Sequence, residues 1–373
     1  MTAINQKKSI KLDSSINQIL TKSVVNKSTK VDIEEVLQQH LLPKFGERFK
    51  QYRKKYINFL ADSEHKHLPD YPISVILELV NRCNLECTFC YQGYRNDAEK
   101  KTLSIQDLEK LFQDFKKNKL DALLLSQSEP LLYKNFYKIL EMAEKAEIMD
   151  QFIFTNGVLL NEKNSKKILE SSLTRLFISV DAATSETYDQ VRIPVNKNAL
   201  KENRLKKIEE NVKNFVKLRN SMGLKIPLVR VSFIALEKNV HEVNDFIEKW
   251  IDIVDSVEVQ KESSIELYDQ LLDKKYDKNK LLLKKYNCND PWGQVSVNSD
   301  GTVGPCCSTV GRNLPMGSIL KNSLKEIWDG QKLNKIRQSF RDNKPNRVCQ
   351  LCLENKKTNN YSGGVVSSCS EIK

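Results

Sequence analysis

From Tyr71 to Lys261 the chain repeats one pattern, a short aliphatic run followed by a longer amphipathic run. The short runs are SVILELV (74–80), DALLLSQ (121–127), QFIFTNG (151–157), RLFISVD (175–181), VRVSFIAL (229–236) and SVEVQK (256–261). They are strand-sized and rich in β-branched and aliphatic residues, so they read as strands. Helices are expected between them at 104–118, 134–147, 163–171, 200–222 and 240–252. The first opens on Ser104 with Asp107 three residues later, close to a capping box. Strands that alternate with helices of this length pair in parallel, because each crossover returns the chain over the sheet. Six such strands predict an α/β fold, a partial (β/α)6 TIM-like barrel, open rather than closed by eight strands. In such a barrel the chemistry sits on loops at the C-terminal strand ends.

The pattern fails on both sides. Residues 1–72 are polar at first. From Asp32 to Leu60 apolar residues then recur at three- and four-residue steps (Ile33, Val36, Leu37, Leu41, Leu42, Phe45, Phe49, Tyr52, Tyr56, Phe59). This predicts a helical N-terminal extension packed against something, with no strand-like alternation. The barrel is expected over 73–262. Residues 263–373 form a Cys-, Gly- and Pro-rich module in which Asp300-Gly301 marks a hairpin turn. There SLKEIWDG reads as a helix ended by Gly330, and Trp292 and Trp328 as packing of the small lobe.

With 40% hydrophobic and 29% charged residues, a chain of 373 residues can bury a large core. No apolar run is long enough to span a bilayer, and no apolar stretch follows the lysines of MTAINQKKSIKLDSS. A cytoplasmic protein without a membrane partner is expected. The net charge of +12 comes from lysines interleaved with acids, as in EKLFQDFKKNK, which is how solvated helix faces look, so a nucleic-acid partner is not expected. In a reducing compartment the nine cysteines stay free, and their clustering points to metal.

Cys83, Cys87 and Cys90 lie in NRCNLECTFCY, directly after the first strand. Three thiolates in one tight loop can bind one face of an iron–sulfur cubane and leave one iron open. The competing readings are a zinc knuckle, which lacks a well-spaced fourth ligand because His65 and His67 lie far upstream, or incidental core cysteines. The C-x3-C-x2-C spacing with Phe89 before the third cysteine resembles the radical S-adenosylmethionine (SAM) superfamily, over roughly 73–260. That resemblance implies a [4Fe-4S] cluster whose open iron holds SAM, and reductive cleavage of SAM to a 5'-deoxyadenosyl radical. It also implies a reduced flavodoxin or ferredoxin-like electron donor.

The same resemblance implies cofactor contacts. Phe89 and Tyr91 flank the third cysteine. Gln127-Ser128-Glu129-Pro130 stands where the family has a G-G-E-P-like segment, so both glycines are lost while Glu129 remains for the SAM ammonium. Thr155 and Asn156 belong to a TNG segment after the third strand. Ser179 matches the residue that reaches the ribose, with Asp181 two positions on, and Arg192 matches a basic residue at the SAM carboxylate.

Cys288, Cys306, Cys349 and Cys352 form a second set. The run from Cys288 through Gly301 to Cys306 is similar to the opening of a SPASM/Twitch extension, which implies one auxiliary [4Fe-4S] cluster. Cys307 competes with Cys306 as ligand, and a four-thiolate zinc ribbon competes with the cluster. The layout resembles family members that act on carbohydrates, so the expected activity is an oxidoreductase, dehydrogenase-like modification of a small polar, sugar-like substrate. The alternative is a maturase of a ribosomally made peptide or protein. Arg230, Ser232, Glu258 and Gln260 are expected to face inward near the ends of the last strands.

Overall fold

The computed structural model describes residues 25–27, 32–90, 101–198, 203–261, 283, 285–306 and 309–358. Six strands form the predicted parallel sheet: β2 (Ser74–Leu77), β3 (Ala122–Leu125), β4 (Asp150–Thr155), β5 (Arg175–Ser179), β6 (Leu228–Ala235) and β7 (Ser256–Lys261). Each neighbours the next in chain order, so every connection is a simple crossover. The crossovers carry α3 (Ile105–Lys117), α4 (Phe136–Lys145), α5 (Glu162–Leu169), α7 (Arg204–Ser221) and α8 (Val243–Trp250). Ser104 caps α3 by accepting from the Asp107 amide at 3.1 Å, as its spacing predicted. A short helix the periodicity did not disclose, α6 (Ser185–Val191), opens on Thr184, whose side chain accepts from the Thr187 amide.

Strand alternation divides the core. Val75, Leu77, Leu123, Leu125, Ile153, Leu176, Ile178, Val229, Val231, Val257 and Val259 face the crossover helices in the larger cluster. Ile76, Leu124, Phe152, Phe177 and Leu228 face the other way, where they meet Leu37, Leu41, Phe49, Tyr52 and Tyr56. These five come from α1 (Ile33–Phe45) and α2 (Glu47–Ala61), separated at Gly46, whose φ is 52°. The N-terminal extension therefore packs against the face of the sheet opposite the crossover helices. Burying each such aromatic or leucine contributes about 1.5–3 kcal/mol. The Tyr52 hydroxyl donates to Asp150 at 3.0 Å, and Asp150 pairs with the buried Arg175 at 2.9 Å.

Two features differ from expectation. Residues before 72 supply a strand after all: β1 (Val25–Lys27) pairs antiparallel with the edge strand β7. At three residues it is too short for alternation to signal. The C-terminal region is also not detached. After α9 (Asp290–Gly293), β8 (Gln294–Val297) pairs parallel with β2, extending the barrel sheet on its open side. The predicted hairpin follows, with Gly301 at φ 82° joining β8 to β9 (Thr302–Gly304), and β10 (Gly317–Ser318) completes ten strands.

The last helices are α10 (Leu324–Trp328), α11 (Gln331–Arg341) and α12 (Arg347–Thr358). α10 stops just before Gly330, with Asp329 as its C-cap, and Gly330, at φ −65°, is also the N-cap of α11. Trp328 is fully buried and donates to the Pro69 carbonyl at 3.0 Å, and Trp292 stacks on His65 with ring centroids 3.9 Å apart. Both tryptophans therefore bind the lobe to the segment leading into the barrel, and His65 is a packing residue.

Candidate active site

The loop after β2 carries Cys83, Cys87 and Cys90, and it is pinned against the segment after α6. The Glu86 amide donates to the Ile193 carbonyl at 2.7 Å and Thr88 to Val191 at 3.1 Å, while Val195 donates back to Asn84 at 3.1 Å. The Cys90 amide closes a turn on the Cys87 carbonyl at 3.0 Å. Two donors approach the Cys83 sulfur, the Leu85 amide at 3.4 Å and the Asn156 side-chain amide at 3.6 Å.

Burial pushes the Cys83 thiol up to about 11 and the Cys87 thiol up to about 12, against the pull of Arg192. Without metal such thiols keep their protons at neutral pH; iron displaces them. Three thiols within electrostatic reach of one another, with N–H donors aimed at one sulfur, suit a cluster ligand set.

Glu129, in the loop after β3, is 1% exposed. Its Oε1 accepts from Thr155 Oγ1 at 2.9 Å and the Leu131 amide at 3.2 Å, and its Oε2 accepts from the Asn156 amide at 2.9 Å. Burial raises its pKa to about 7, opposed by these donors and by Arg192. The β3 and β4 loops thus meet on one carboxylate beside the cysteine loop. Gly157 holds φ 75°, and a Cβ there would lie 3.0 Å from Ile178, so the TNG turn requires glycine.

The lost glycines have a structural consequence. Gln127 still takes a left-handed φ of 75°, the conformation glycine adopts freely. Ser128 turns away from Glu129, and its hydroxyl donates to Glu78 at 3.0 Å.

Ser179 ends β5, so strand alternation does not continue to Asp181, which sits at φ 63°. Asp181 is fully buried and accepts from the Ile234 amide at 2.7 Å and from Arg192 Nε at 2.7 Å. Burial opposes the charge on Arg192, but Asp181 holds it protonated, and its guanidinium lies 5.4 Å from the Phe89 ring centroid. Arg192 thereby spans Asp181 and the cysteine loop. Tyr91 and Cys307 lie outside the described residues. Of the inward positions, Arg230 and Glu258 form a buried pair at 2.8 Å, with Arg230 3.6 Å from the Phe177 ring centroid.

The second cysteine set is assembled from distant segments. Cys288 precedes α9, Cys306 follows β9, and Cys349 and Cys352 lie in the first turns of α12. All four line one cavity with Pro291, Pro305, Leu314, Ile336, Phe340 and Leu353. Among the described residues no three His, Cys, Asp or Glu side chains are placed for a single metal ion. Four thiols lining one cavity supply the ligand number that a [4Fe-4S] cluster or a four-thiolate zinc site takes. A Cβ on Gly311 would lie 2.6 Å from Cys306 Sγ, so the wall there is shaped to the sulfur.

The chain matches the radical SAM superfamily profile over residues 77–227 and the SPASM iron-sulfur cluster-binding domain over 288–353. It is 28% identical over 167 residues to a probable GTP 3',8-cyclase of Methanococcus maripaludis, covering 45% of this chain and 51% of that protein. The chain spans about half the length of such curated relatives. It is 24% identical over 321 residues to the antilisterial bacteriocin subtilosin biosynthesis protein AlbA of Bacillus subtilis, covering 79% and 67%. Among solved structures, Streptococcus suis SuiB bound to precursor peptide SuiA superposes with a TM-score of 0.52 at 16% identity, covering 87% of this chain and 78% of that one. The fold is shared with anSMEcpe bearing bound AdoMet as well, with a TM-score of 0.51 at 16% identity over 80% of this chain and all of that one. Among the described residues no helix is long and apolar enough to cross a membrane.

Proposed function

The chain belongs to the radical SAM superfamily and carries a SPASM iron-sulfur domain, and from that premise we propose that it is a maturase that modifies a peptide or protein by hydrogen-atom abstraction. The sugar-like substrate expected from the layout finds no support among the relatives. One observation carries the peptide reading. The likeness to a bacteriocin biosynthesis protein runs over 79% of the chain and so extends beyond the barrel, whereas the likeness to the cyclase stops at 45%.

Cys83, Cys87 and Cys90 would hold a [4Fe-4S] cluster, which when bound would supply the electron for SAM cleavage and so the means of removing a hydrogen atom from substrate. In this reading Glu129 orients the SAM ammonium, Thr155 and Asn156 hold that carboxylate in place, Ser179 meets the ribose, and Arg192, steadied by Asp181, faces the SAM carboxylate. Phe89 covers the guanidinium from the cysteine side. Cys288, Cys306, Cys349 and Cys352 would hold the auxiliary cluster, and a reduced flavodoxin or ferredoxin-like partner would supply the electron.

The test is anaerobic reconstitution followed by incubation with SAM, dithionite and synthetic peptides encoded beside the gene. Peptide-dependent 5'-deoxyadenosine and a changed peptide mass are expected. Stimulation by nucleotide sugars with no response to any peptide would overturn the substrate class while leaving the cofactor chemistry standing.

A further inference from the structure

Glu78, one residue past β2, is fully buried, yet no part of the SAM or auxiliary-cluster chemistry uses it. Its carboxylate collects donors from two parts of the molecule. Oε1 accepts from Ser128 Oγ at 3.0 Å. Oε2 accepts from the Ser299 amide at 3.0 Å, Ser299 Oγ at 2.9 Å, and Arg312 Nη1 and Nη2 at 2.9 and 2.8 Å. Arg312 Nη1 also donates to Asn298 at 2.6 Å.

Each side of this junction leads to a cysteine site. Arg312 follows Gly311, whose α-carbon lies against the Cys306 sulfur. Ser128 precedes Glu129, whose carboxylate holds the Asn156 amide, and the Asn156 side chain donates to Cys83. A continuous series of direct contacts therefore runs from Cys306 to Cys83 through one buried carboxylate. A buried ionised carboxylate is stable only while its cationic partner stays in place. A shift of Cys306 against Gly311 would be passed to Arg312 and, through Glu78, to Ser128, which adjoins the left-handed Gln127.

We propose that Glu78 and Arg312 are positioning residues through which the auxiliary-cluster loop fixes the geometry of the Gln127–Pro130 loop at the SAM site. The serine that replaces the family's second glycine is the receiving contact. This rests on the cofactor assignment and on no particular substrate.

Hydrogen exchange on the anaerobically reconstituted full chain tests it without recourse to turnover, by following amides in segments 127–132 and 154–158. Arg312→Ala is expected to speed exchange in both segments at least ten-fold while the crossover helices stay protected, and Arg312→Lys to restore part of the protection. Ser128→Ala, which removes one surface of the contact without touching the core, is expected to raise the SAM concentration needed for half-maximal 5'-deoxyadenosine formation several-fold, with little change in the maximal rate. Cys306→Ala should raise it in the wild-type background and have a smaller effect on top of Ser128→Ala. Additive effects in that double-mutant cycle, or unchanged exchange in Arg312→Ala, would overturn the proposal. If the wild-type protein cleaves no SAM, the functional reading fails, and the exchange experiment still decides the coupling.

Discussion

The two cysteine sites solve one problem in opposite ways. Cys83, Cys87 and Cys90 lie within eight consecutive positions on one loop, fixed by backbone bonds to the segment after α6. Cys288, Cys306, Cys349 and Cys352 are gathered from before α9, after β9 and the start of α12. A contiguous site has its ligand spacing set by neighbours in the chain, and only the segment at 191–195 and Asn156 need be in place to hold the loop. An assembled site depends on the packing of the whole lobe, so distant substitutions reach it.

The largest effect that could break this contrast is removal of the ligands. Replacing Cys83, Cys87 and Cys90 by alanine is expected to abolish reductive SAM cleavage and lower the iron content by about half; colorimetric iron analysis and 5'-deoxyadenosine assay check it. Next comes Gly311→Ala, whose Cβ would meet Cys306 Sγ at 2.6 Å. It is expected to cost the auxiliary cluster, again about half the iron, while measurable SAM cleavage persists. Equal loss of both clusters would show that the first site is no more self-contained than the second.

A smaller effect follows from Glu129, whose pKa burial raises to about 7. Its folded value lies above the unfolded one, so between about pH 4.5 and 7 the unfolded chain ionises while the folded carboxyl holds its proton. Stability of the SAM-free protein therefore falls as pH rises through that window, and is level above it. SAM, which brings an ammonium, selects the ionised form, so its affinity is expected to rise up to ten-fold per pH unit below 7 and level off above. Titrations from pH 6 to 8 measure this, and Glu129→Gln should flatten the curve. The smallest expected effect is on backbone strain. Gln127→Gly, at φ 75°, should stabilise the protein by about 1 kcal/mol. A melting temperature that falls instead would mean that the Gln127 side chain contributes more than its backbone costs.

The same contrast explains what could be read without coordinates. The six barrel strands were legible because period-two and period-3.6 patterning are properties of consecutive residues, and the observed bounds differ from the expected runs mainly in their ends. Those ends are the loops, where polar tips such as Gln127 and Asp181 follow loop geometry instead of strand alternation. The first cysteine trio was legible for the same reason. Short elements were not: β1 has three residues and α6 has seven, too few for a period to emerge. Gly330 marked the stop of one helix but gave no sign that it also begins the next.

What the amino-acid order alone decided was the parallel barrel, the local trio of thiols and the membership that follows from them, since each rests on near neighbours in the chain. Only the tertiary structure decided that β8 joins the sheet beside β2, and that Glu78 meets both Ser128 and Arg312, the latter 234 positions away. A buried carboxylate must find its donors wherever packing brings them, and nothing in the spacing of Glu78 and Arg312 along the chain records that they meet.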